Sequence, residues 1–181
     1  MRTITLGALC VTVMAGLARS ASAQAAPSGV RAELIAQLDD AAKKLVQLAE
    51  AIPQDKYTWR PATGVRSVSE AFMHVVGADY FIPTFAGVKA SAELAPDAET
   101  SITDKAQVID YLKRSLEHVR SSLRAFPDAD LDKRATLFGE QTTCRNVFLT
   151  TVMHLHEHLG QLIAYARMNG IVPPWSTALR R

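Results

Sequence analysis

Cysteine is scarce, with only two in 181 residues. Cys10 lies in an N-terminal stretch that reads as a leader, so Cys144 is left alone and no intramolecular disulfide can brace the chain outside the cell. No Cys-x-x-Cys-His occurs, which excludes covalent attachment of a c-type haem. The zinc-protease pattern His-Glu-x-x-His is missing too: counted from His156, Gly160 stands where its second histidine belongs. Excess charge of either sign is also lacking. Residues 1–23 carry Arg2, Arg19 and no acid, so without them 20 − 2 = 18 basic residues face 18 acidic ones. That balance, with no run of basic residues interleaved with aromatics, argues against a nucleic-acid-binding footprint. The apolar run from Ile4 to Leu17 falls short of the roughly 20 residues that span a membrane. No internal repeat or low-complexity segment is visible, and no stretch reads convincingly as a strand.

What is present begins with that leader. "MRTITLGALCVTVMAGLARSASAQ" combines Arg2, the apolar run and Ala21-Ser22-Ala23, the small-x-small pattern of a signal-peptidase site. Residues 1–23 are expected to be cleaved off. Residues 24–181, 181 − 23 = 158 in number, are expected to form one exported domain, periplasmic or secreted, with no stable membrane span.

Four helical stretches follow, separated by connections containing proline or glycine. Leu34, Leu38, Ala41, Leu45, Leu48 and Ile52 mark a stripe at helical spacing from about Gly29 to Ala51, ended by Pro53. Ser67-Val68-Ser69-Glu70 is a capping box that opens a second helix running to about Gly87, with a kink or early end at Pro83. A third runs from about Thr103 or Asp104 to Phe126, with Val108, Leu112, Val119, Leu123 and Phe126 on its buried side, and Pro127 stops it. A fourth runs from Thr143 to Asn169, with Gly170 as its C-terminal cap. Four amphipathic helices of this length predict an all-α, four-helix bundle.

The fourth helix carries three histidines in five positions, His154, His156 and His158. At about 100° per residue, His154 and His158 fall on one flank of the stripe made by Phe148, Val152, Leu155, Leu159, Leu162 and Ala166, while His156 falls on the other. Residues at i and i+4 have Cβ atoms about 5–6 Å apart, close enough for two imidazoles to meet one ion. His156 cannot join them and is assigned to the surface or a subunit contact. A third ligand is needed, and His74, on the margin of the second helix's buried face, is the best candidate. Each residue also has a plainer role. His74 alone would more often be a hydrogen-bonded interfacial side chain, and the pair on the fourth helix could be coincidence. On the residues alone both readings stay open.

The stretch "HEHLGQLIAYARMNGIVPP" resembles the last-helix signature of the DinB-like (DinB/YfiT) superfamily of four-helix-bundle metalloenzymes, in which a histidine is followed after three residues by a second and then, one residue later, by Gly-Gln. His154, His158, Gly160 and Gln161 occupy those positions. Trp59-Arg60-Pro61, and His74 seven residues after Ser67, also match. The resemblance implies a divalent-metal site made by His74, His154 and His158, holding zinc or nickel, or alternatively iron. It implies a small-molecule substrate, with the ion activating either a water, as in a hydrolase, or a thiol, as in a thiol transferase. It also admits a homodimer. Leu159 stands where many members have arginine.

Around the metal ligands, Gln161 shares the flank of His158 and could orient it, and Tyr165 lies one turn further, with ordinary helix packing slightly the preferred role. No catalytic residue is assigned. Asp79, on the apolar side of the second helix, calls for a partner such as Arg60 or Arg145. His118 is assigned to solvent, and Cys144 to a buried small residue. Two other classes remain: an exported four-helix protein binding haem non-covalently, and a metal-free binding module.

Overall fold

Residues 29–90 and 94–176 are described by the computed structural model, so the expected leader, residues 1–23, lies outside the described residues. The leucine stripe winds residues Gly29–Ala51 into helix α1, with Leu38, Leu45 and Leu48 fully buried. Helix α2 (Val68–Phe81) starts at the capping box: the Ser67 hydroxyl accepts from the Glu70 N–H, and the Glu70 carboxylate accepts from the Ser67 N–H at 2.8 Å. Regular helix stops at Phe81. Around Pro83 the chain tightens into a 3₁₀ segment, Ile82–Ala86, closed by Gly87 at φ 84°, where a side chain would be strained.

A single turn, α3 (Ala98–Ser101), lies in the following connection. Helix α4 (Lys105–Ala125) is capped by Asp104, whose side chain accepts from the Gln107 N–H at 2.9 Å. Helix α5 (Cys144–Met168) is capped by Thr143 and followed by Gly170 at φ 73°. Between α4 and α5 the chain makes an antiparallel hairpin of β1 (Arg134–Leu137) and β2 (Glu140–Thr143), in register from Arg134 opposite Thr143 to Leu137 opposite Glu140. The hairpin corrects the expectation of no strand. Leu137 buries against Ile82 and Val147 and ties it to the bundle.

The four long helices form the expected bundle. Each of α1 and α2 packs principally against both α4 and α5. The long helices that succeed one another as α1 and α2, and as α4 and α5, are therefore diagonal neighbours, which long connections allow. The consequence for chemistry is that α2 lies directly against α5. No described helix is long and apolar enough to cross a membrane.

Two polar expectations are corrected. Asp79 is fully buried between α2 and α4, where one oxygen accepts from the Ser115 hydroxyl at 2.8 Å and the other has no partner among the described residues. Neither arginine reaches it. Arg60 is held by Glu70 and the Val65 carbonyl near its own connection, and Arg145 pairs with Asp132. Burial without a cation pushes Asp79 up to about 8, although the serine hydrogen bond acts in the opposite direction. His118 is half-buried rather than solvated, its ring centroid 5.1 Å from that of Tyr80, because α4 packs closely over α2.

Candidate metal centre

The capping box fixes where α2 begins, and His74 follows two turns later on the side facing α5. On α5, the apolar stripe faces the core and leaves His154 and His158 at its edge, one turn apart. The two elements bring all three imidazoles together, with one ligand atom from each within 4.8 Å of the others. The Nε2 atom of His154 lies 3.2 Å from that of His74 and 3.1 Å from that of His158. Such separations are those of nitrogens each about 2.0–2.1 Å from one ion. His156 is exposed and apart from the cluster, and Cys144 is buried away from it.

The outer ring nitrogens determine which way the inner ones face. His74 Nδ1 lies 3.1 Å from Glu99 Oε2, and His158 Nδ1 lies 2.7 Å from Gln161 Oε1. Both partners are acceptors, so both Nδ1 atoms carry the proton and both Nε2 atoms direct a lone pair to the centre. The supports extend outward. Arg66 donates to Glu99 Oε1 at 2.7 Å, and Gln161 Nε2 donates to the Tyr165 hydroxyl at 2.9 Å. The Tyr165 ring meets Trp59 edge-on at 5.6 Å, so it packs and hydrogen-bonds at once. His154 Nδ1 is buried with no partner among the described residues.

Burial favours the neutral form of His154 and of His74. Burial, followed by the nearby His158 and His74, pushes His154 down to about 4. His74 is also lowered, mainly by burial, against the pull of Glu99. Partial burial would raise Glu99, but hydrogen bonds from Arg66 and His74 hold it below the usual carboxylate value. Neutral imidazoles beside an ionised carboxylate are the protonation states that a cation needs.

A cavity of about 640 Å³ opens beside His74, His154 and Glu99, with Phe81, Phe138 and Met153 in its wall. A second, about 610 Å³, shares Glu99 and is lined by Arg60, Arg66, Glu70 and Gln161. A third, about 570 Å³, lies between α1, β2 and α5 and touches none of the three histidines. Glu99, Arg66, Phe81 and Phe138 were not among the residues singled out from the sequence. His74 and Glu99 stand on different elements, so no helical period relates them, and only the acid-rich connection around α3 could have signalled it.

A sequence model of the DinB superfamily matches residues 37–162. Among solved structures, a DinB-like protein of Bacillus cereus is 18% identical, covers 78% of this chain and 93% of its own, and superposes with a TM-score of 0.66. A DinB-like protein of Bacillus subtilis is 21% identical over 76% of this chain and 92% of its own, at a TM-score of 0.59. A protein of Enterococcus faecalis is 14% identical over 78% and 97%, at 0.63. At these identities the likeness is one of fold. No curated protein sequence matches the chain.

Proposed function

The chain belongs to the DinB superfamily, and from that premise we propose that it is an exported, metal-dependent enzyme whose divalent ion is held by His74, His154 and His158. One observation carries this reading. His74 and His158 aim Nε2 lone pairs inward at the Nε2 atom of His154, which can donate a proton to only one of them. At least one of the two close Nε2–Nε2 contacts, 3.1 or 3.2 Å, therefore has no hydrogen between its nitrogens. A cation resolves that conflict, and a structural histidine cluster does not need it.

A divalent ion so placed supplies Lewis acidity, lowering the pKa of a bound water towards about 7 or ionising a coordinated thiol. The chain's own residues prepare for it. Glu99, held by Arg66, fixes the ring and tautomer of His74, and Gln161, held by Tyr165, does the same for His158. Three neutral ligands leave the full charge of the ion to act on a small-molecule substrate in the adjoining cavity. Zinc or nickel suits three imidazoles, and iron is the alternative.

Elemental mass spectrometry on untagged protein beginning at residue 24, beside the His154→Ala/His158→Ala double variant, tests the proposal. Near-stoichiometric zinc, nickel or iron in the first and none in the second is the expected result. Hydrolysis and thiol transfer would then be assayed side by side. Equal, near-zero metal in both after divalent ions are added would remove the metalloenzyme reading, and a Soret band would replace it with haem binding.

A further inference from the structure

The cavity beside the histidines is walled in an unusual way. Phe81, Phe138 and Met153 all line it, and all three are more than half exposed, at 56%, 62% and 61%. Phe81 and Phe138 are joined through Phe85: its ring lies edge-on to Phe81 at 5.1 Å and to Phe138 at 5.3 Å. Among the described residues no lysine or arginine lines the cavity, and its carboxylates, Glu99 and Glu157, disfavour an anionic body there. Its volume of about 640 Å³ is that of a small-molecule site.

Backbone geometry adds a second, independent observation. Phe138 and Gly139 are the two residues of the hairpin loop, with φ of 51° and 92°. Two-residue loops with both φ values positive favour Asn-Gly or Asp-Gly, and a bulky side chain at the first position is strained. Leu137, buried against Ile82 and Val147, holds the loop at the mouth of the cavity. The strain places an aromatic ring over the entrance, where asparagine would have made the better turn.

We infer that this cavity binds small molecules with one uncharged, ring-sized apolar body and one metal-seeking head, and that Phe138 and Phe81 determine the preference for the body. The inference rests on the proposed metal site for the head and on the aromatic wall for the body.

The test uses cobalt-loaded protein and two probes that share a head, acetohydroxamate and benzohydroxamate, with affinities measured by calorimetry. Benzohydroxamate is expected to bind at least about tenfold tighter. Phe138→Asn should bring the ratio close to one while leaving acetohydroxamate affinity and cobalt content unchanged and thermal stability equal or higher. Phe81→Ala should lower the ratio in the same way. A ratio near one in the wild type, or one that neither substitution alters, overturns the inference. Wild-type protein that takes up no cobalt refutes the proposed function instead. The apolar half of the inference is then read from the neutral fluorophore 1-anilinonaphthalene: enhancement in the wild type that Phe138→Asn abolishes supports it, and equal signals overturn it. Light scattering that finds a wild-type dimer dispersed by Phe138→Asn would assign the aromatic wall to a second copy of the chain and overturn it as well.

Discussion

Glu99 faces α2 from the single turn α3 and Asp79 stands on α2 facing α4, and their surroundings give the two carboxylates opposite states. Glu99 meets a guanidinium and an imidazole and stays ionised, so it can hold a proton on His74 Nδ1. Replacing it by glutamine keeps the size but loses the charge that settles the tautomer. Glu99→Gln is expected to weaken metal affinity by about 10–100-fold, the usual effect of losing such a support, with the helical spectrum unchanged. Competition with a chromogenic chelator measures it, and unaltered affinity would mean that Glu99 does not orient His74. Asp79 has only the Ser115 hydroxyl and keeps its proton, with a folded pKa of about 8 against an ordinary 3.8. Below pH 4 both folded and unfolded chains hold that proton, and Asp79 costs nothing. As pH rises the unfolded chain ionises first, so the contribution of Asp79 becomes progressively destabilising until the folded form also ionises near pH 8. Asp79→Asn should therefore raise the Tm relative to wild type by an amount that is near zero at pH 4 and largest near pH 8. A pH-independent difference would show that Asp79 is charged in the folded protein.

Elements differed in how plainly the sequence announced them. The long helices were legible because each carries its own start or stop: Ser67 with Glu70, Asp104, Thr143, Pro53 and Gly170 act within a few residues and need no tertiary partner. The pairing of His154 with His158 was legible for the same reason, since one turn of helix decides it. The hairpin had no such local signature. Its strands are four residues long: Arg134-Ala135-Thr136-Leu137 alternates over too short a run to mark a strand, Glu140-Gln141-Thr142-Thr143 has no apolar residue, and the loop has phenylalanine where asparagine would mark a turn. Glu99 was hidden differently. It stands on the single turn α3, 25 residues from His74, and only the docking of that turn against α2 joins them. Asp79 showed the limit of pattern reading: its place on the apolar face was visible, but the serine of α4 that meets it depended on how α2 and α4 pack.

At the scale of the whole molecule, the three histidines of the proposed metal site straddle an interface. His74 belongs to α2 and the other two to α5, helices that are far apart in the chain and meet only when the bundle closes. The described residues contain one buried free thiol and no disulfide, so packing alone holds α2 against α5. In the proposed site an ion bridging them would bind the folded chain and find no comparable site in the unfolded one, so its binding energy would add to folding stability. At a free concentration one hundred times its Kd the gain is about 2.7 kcal/mol, which moves the Tm of a domain this size by several degrees. Titrating zinc or nickel into metal-free wild-type protein should raise the Tm steadily with the logarithm of concentration above Kd. His74→Ala and the His154→Ala/His158→Ala pair should each abolish most of the rise, one from each side of the interface. The comparison between them is informative. Loss only in the α5 variant would describe a pair of histidines on one helix gripping an ion by themselves, whereas loss in both requires the ion to join α2 to α5.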